Sequence, residues 1–80
     1  MELKKKMVRK EIMEFAEEIE RVMTIHDTKK GDSWKTLSIG FLEEKMEEEW
    51  DEWFSNPCKE EAVDIGAMSM MLWNRYKQEG

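Results

Sequence analysis

The sequence predicts an all-α fold: a small helical bundle of three long helices plus a short one, a single domain over residues 1–80, completed by oligomerisation. Three observations predict it. Apolar residues recur at spacings of three and four along most of the chain, the period of amphipathic helices. No Val/Ile/Thr-rich alternation marks a strand. The 80 residues also carry four Trp, three Phe and eight Met. A domain of this size buries only about 60% of its unfolded surface, so part of that bulk is expected to meet another subunit.

The first helix is expected from Glu2 to about His26, where Val8, Ile12, Phe15, Ile19, Val22 and His26 form one stripe. The segment from Asp27 to Ser33 gathers turn formers and reads as a loop, with Gly31 suited to the position past a helix end. Asp32 or Ser33 caps a second helical stretch through Trp34, Leu37 and Phe41. With a break near Gly40, this stretch runs on through Leu42, Met46, Trp50, Trp53 and Phe54. Ser55 and Asn56 end it. Asn56 then acts as N-cap and Pro57 as first residue of the last helix, which holds Glu60 and Glu61 in its opening turn and runs to about Lys77.

A net charge of -6 argues against a binder of nucleic-acid polymers, which needs basic residues to displace phosphate counterions. A polyanionic ligand would need a metal in between. Cys58 and His26 are the single cysteine and histidine, which removes Cys-based and His-rich zinc sites and the Glu-x-x-His pairs of di-iron bundles. The stretch from Ile65 to Asn74 is the longest without charge, far short of the roughly 20 residues that span a bilayer. The start, MELKKKMVRKEIMEF, has no apolar run after its basic residues, so it is no secretory signal. The expectation is a soluble, cytoplasmic protein.

From Glu43 to Glu52 seven carboxylates face a single lysine, Lys45. Like charges three or four apart on a helix cost roughly 0.2–0.5 kcal/mol per pair, so solvent or a cation must absorb the repulsion. At about 100° per residue, Leu42, Met46, Trp50, Trp53 and Phe54 make an apolar arc with Glu43 and Glu47 at its edge and Glu44 further round. Glu48, Glu49, Asp51 and Glu52 go to solvent. In the last helix Ala62, Ile65, Gly66, Ser69, Leu72, Trp73 and Tyr76 form an arc flanked by Glu61 and Asp64, which share a face. Antiparallel packing of the two helices leaves these acidic pairs offset by a turn or two, a gap that tilt or a partner subunit would close. Four carboxylates without nitrogen or sulfur suit a hard cation, Mg²⁺ or Mn²⁺.

Glu43-Glu44-Lys-Met-Glu47 followed by Glu61-Ala-Val-Asp64 resembles the E-E-x-x-E and E-x-x-D signature of the MazG-like, all-α nucleotide pyrophosphohydrolases, relatives of dimeric dUTPases and dCTP pyrophosphatases. The likeness extends from Asp32 to the end of the chain. It implies a homodimer or homotetramer that cleaves a nucleoside triphosphate to monophosphate and pyrophosphate with Mg²⁺. It also implies metal ligation by Glu44, Glu47, Glu61 and Asp64. The catalytic carboxylates would be Glu43, Glu44 and Glu47, one of them free to take the proton from the attacking water. Whether Glu43 or Glu44 is the direct ligand stays open, since the helical arc favours Glu43.

Substrate contacts are expected from Trp34 and Trp53, whose rings offer a face for a nucleobase, and from Lys35 and Arg75, which bring charge to phosphates. Lys29 and Lys30 could add to that charge, and Lys4, Lys5, Lys6, Arg9 and Lys10 form a basic patch. The competing expectation is a non-catalytic helical interaction module that keeps its acidic seam as a cation-binding feature.

Overall fold

The computed structural model describes residues 8–79, apart from the side chains of 28–30. Among them it contains helices α1 (Lys10–Lys30), α2 (Ile39–Ser55) and α3 (Lys59–Glu79), a short 3-10 turn at Ser33–Lys35, and no strand. The all-helical expectation holds. The expected helical start at Glu2, the lysines at 4–6 and the side chains of Lys29 and Lys30 lie outside the described residues.

Helix α1 runs past His26 and stops at Gly31, whose φ of 57° is the left-handed conformation that an L side chain resists; its N–H donates to Asp27 O at 3.1 Å. The break before α2 falls at Ser38 rather than Gly40. Ser38 is extended (φ -66°, ψ 148°) and its Oγ accepts from the Phe41 N–H at 3.1 Å, so it takes the cap expected of Asp32 or Ser33. Asn56 closes α2 by donating its N–H to Glu52 O at 2.9 Å. Pro57 and Cys58 complete the connection, and α3 begins with the Ala62 N–H donating to Cys58 O at 3.1 Å, later than an Asn56 cap would place it.

Helix α3 is the centre of the fold. It packs antiparallel to α2 as a hairpin and carries α1 on another side, while α1 and α2 barely meet. Gly66 allows the α1 approach: a Cβ there would lie 2.7 Å from Phe15 Cε2 and 3.2 Å from Ile19 Cδ1. The buried hydrophobic residues are Leu42, Val63 and Ala67. On α2 the inward stripe is Ile39, Leu42, Met46, Glu49 and Trp53, a three-and-four spacing that includes a carboxylate. Trp50 and Phe54, expected inside, stand 50% and 67% exposed with their rings edge-to-face at 5.4 Å. Trp73 and Tyr76 on α3 are likewise exposed. The small side chains of Val63 and Ala67 set the seam of α3, which turns the expected arc of Ser69, Trp73 and Tyr76 outward.

Candidate functional site

Where α1 and α2 stand apart over α3, a cleft of about 340 Å³ opens. Its floor is Asp64, Ala67, Met68 and Met71 of α3; His26 of α1, Glu49 of α2 and Trp34 of the 3-10 turn line its sides. Two features open it: α1 touches α3 rather than α2, and Ala67 adds little bulk to the floor.

At one edge, carboxylate oxygens of Glu49, Glu61 and Asp64 lie within 4.8 Å of one another, all three side chains half-buried. The hairpin makes this meeting. Glu49 stands six residues before the end of α2 and Asp64 five residues after the start of α3, axial distances of about 9 and 7.5 Å at the helical rise. Glu61 Oε2 and Glu49 Oε2 are each buried without a hydrogen-bond donor among the described residues. Withdrawal from water, followed by the charges of Glu52 and Asp64, pushes Glu49 up from 4.5 to about 7. Burial, then Glu52 and Asp64, also raises Glu61. Asp64 is raised by burial, against the opposing charge of His26 and with further help from Glu52. A proton on one carboxyl lets Glu52 share a hydrogen bond with Glu49 or Glu61; when all are ionised, no donor is left for the orphaned oxygens. A proton on one of the carboxyls relieves that repulsion.

Of the residues that the sequence singled out, Glu61 and Asp64 belong to this cluster. Glu44 and Glu47 are exposed on α2 and lie outside it. Glu43 is exposed as well and accepts from the Tyr76 hydroxyl at 3.2 Å. Glu49, assigned to solvent by the helical arc, is instead half-buried against Glu61 and Asp64, whereas Glu52 is exposed as expected and lies near enough to Glu61 to add its charge. A signal for them was present: Glu48-Glu49-Trp-Asp-Glu52 repeats the E-E-x-x-E pattern five residues further on. Glu48 pairs with Lys45 at 3.2 Å on the outer side.

Trp34 lines the cleft with its Nε1 buried and lacking an acceptor among the described residues. Lys35 points back to Asp32 at 3.2 Å and lies 5.7 Å from the Trp34 ring centroid. Trp53 is half-buried on the inward stripe of α2. Arg75 is turned to the backbone, where its Nη1 donates to Trp34 O at 3.1 Å and to Leu37 O. No helix among the described residues is long and apolar enough to cross a membrane. Comparisons with protein-family models, with curated proteins and with solved structures find no match to this chain.

Proposed function

We propose that the protein is an Mg²⁺-dependent nucleoside triphosphate pyrophosphohydrolase, releasing a nucleoside monophosphate and pyrophosphate. The observation that carries this reading is the convergence of Glu49, Glu61 and Asp64 at the edge of an open cleft. Two of their oxygens are buried without donors, a donor set of hard oxygens that fits Mg²⁺, with Mn²⁺ as substitute. Glu49, Glu61 and Asp64 would hold the cation, with Glu52 beside them; in the acidic signature, Glu49 and Glu52 then take the places that the first spacing match gave to Glu44 and Glu47. The bound metal would neutralise phosphate charge and lower the pKa of water.

The chain's own part is positional. In the metal-free cluster Glu49 takes up a proton near neutral pH because burial and the charges of Glu52 and Asp64 raise its affinity for one, and a bound cation would displace that proton. Trp34 offers an aromatic wall to whatever enters the cleft. The exposed Trp50, Phe54 and Trp73 support assembly as a homodimer or homotetramer. The same surface favours a second reading, a non-catalytic interaction module.

The deciding experiment incubates the protein with each common NTP and dNTP, with Mg²⁺ and with EDTA, and measures pyrophosphate release. Metal-dependent release that survives Glu44→Gln and is lost in Asp64→Asn and Glu61→Gln is expected. Silence across the panel from folded protein would refute the enzyme reading and leave the interaction module.

A further inference from the structure

Arg75 is expected from sequence to reach for phosphate, yet its position says otherwise. It lies eleven residues beyond Asp64 on α3, about 16 Å along the helix, and its side chain is only 13% exposed. Its Nη1 donates to the carbonyls of both Trp34 and Leu37, and its Nη2 reaches Glu79 Oε2 at 3.4 Å. The carbonyls at Trp34 and Leu37 belong to the 3-10 turn and its exit, whose own hydrogen bonds are local: Lys35 N–H to Asp32 O at 2.9 Å and Thr36 N–H to Ser33 O at 3.0 Å. A turn of three residues has little stability of its own. Arg75 ties it to the central helix with a charged, planar donor that satisfies two carbonyls at once.

The tie matters because of what the turn carries. Trp34 lines the cleft that also contains Glu49 and Asp64, and its buried indole N–H has no partner among the described residues. We propose that Arg75 is a positioning residue: by holding the Trp34 and Leu37 carbonyls it fixes the Trp34 indole in the cleft wall, and so sets how tightly the cleft holds its occupant. It does not touch the occupant. The kinetic half of this inference rests on the nucleotide pyrophosphohydrolase reading, whereas the structural half does not.

Two variants and two readouts test it. Arg75→Met keeps the aliphatic stem and removes both hydrogen bonds, and Arg75→Lys keeps the charge with a single donor group. The Trp34 indole N–H signal, assigned in ¹H–¹⁵N spectra through its loss in Trp34→Phe, is expected to exchange with solvent roughly tenfold faster in Arg75→Met and by an intermediate factor in Arg75→Lys. The other three indoles stay put. With the nucleotide turned over in the Mg²⁺ assay, Arg75→Met is expected to raise KM by about tenfold and to lower kcat far less. That rise should vanish when the aromatic wall is already removed by Trp34→Ala, as a cycle of single and double variants would read. An unchanged Trp34 signal in both Arg75 variants overturns the proposal, as does an equal rise in KM with and without Trp34. Should Arg75→Met lose its helical circular dichroism, the same outcomes are read from Arg75→Lys. A wild-type protein silent on every nucleotide would refute the functional reading alone, and the indole signal would still decide the tie.

Discussion

Replacing Glu49 by Gln removes one charge from the carboxylate cluster and keeps its shape, and the structure sets the sign and size of the change in stability. Glu49 is pushed up to about 7 in the fold, against an ordinary 4.5, first by burial and then by Glu52 and Asp64. Between those two values the folded protein binds more protons than the unfolded chain, so stability falls as pH rises. The contribution is fully present below about 4.5 and gone above about 7. At about 1.36 kcal/mol per unit the full shift would correspond to roughly 3 kcal/mol; solvent reaching this half-exposed edge screens it to about 1–2 kcal/mol. Gln carries no charge at any pH. Glu49→Gln should therefore be more stable than the parent at pH 8 by that amount, a rise of about 5–10 °C in Tm for a domain of this size, and equal to it within about 0.5 kcal/mol at pH 4.5. Thermal melts by circular dichroism at pH 4.5, 6 and 8 in EDTA measure the difference. Mg²⁺ at a hundred times its Kd should then add about 2.7 kcal/mol to the parent and much less to the variant. A variant less stable than the parent at pH 8 without metal, or a difference that ignores pH, would refute the electrostatic account.

Two further outcomes test the packing on either side of the cleft. Tyr76 is the single tyrosine, and the charge on Glu43, with the hydrogen bond to it, raises the phenol above 10.0; Glu43→Gln should bring its ultraviolet titration back toward about 10, and no movement would mean that the two side chains do not meet. Gly66→Ala gains about 1 kcal/mol of helix propensity but drives a methyl group into Phe15 and Ile19, an overpacking cost of about 1–3 kcal/mol. Urea denaturation should show a net loss of about 1 kcal/mol, and the same substitution made on Phe15→Ala should instead stabilise by up to about 1 kcal/mol.

Helical periodicity and turn chemistry made the three helices and the hairpin legible in the sequence. A first helix through Ile12 and His26, the stop at Gly31 and the end of α2 at Ser55 appear in the fold, although of that stripe only Ile19 and Val22 are half-buried while Ile12, Phe15 and His26 are exposed. The rotation of each helix about its own axis was harder to read. Large aromatic residues dominate an arc drawn by hydrophobicity, so Trp50 and Phe54 pulled the expected face of α2 round by about one residue, while the packed seam follows Leu42 and Met46 and takes Glu49 with them. A shift of one residue on a helix is about 100°. It is enough to exchange one acidic set for another in a run where almost every position is acidic. The place of Arg75 has no local signature either, since pairing with carbonyls 41 and 38 residues away is a tertiary event.

The short connection through Pro57 and Cys58 explains which acids meet. With so short a turn, positions equally far from the end of α2 and the start of α3 lie opposite one another. Glu49 is then level with Asp64, and Glu52 with Glu61. Glu47 and Glu44, about 12 and 16 Å from Ser55 along the helix, are level with α3 beyond Asp64, where the chain offers Ala67 and Met70 and no carboxylate. The acidic run is thus divided by the hairpin into two parts with different electrostatics. On the outer face, Glu48 pairs with Lys45 and Glu43 accepts from Tyr76, and water screens the rest. On the inner face, half-buried Glu49 meets Glu61 and Asp64, with exposed Glu52 beside them, and the repulsion is less well screened. Packing alone would favour an apolar side chain at position 49, in line with Leu42 and Met46. Burial and the neighbouring charges make an ionised carboxylate there unfavourable in the fold; on the proposed reading, a divalent cation bound by Glu49, Glu61 and Asp64 would offset that cost and couple occupancy to stability.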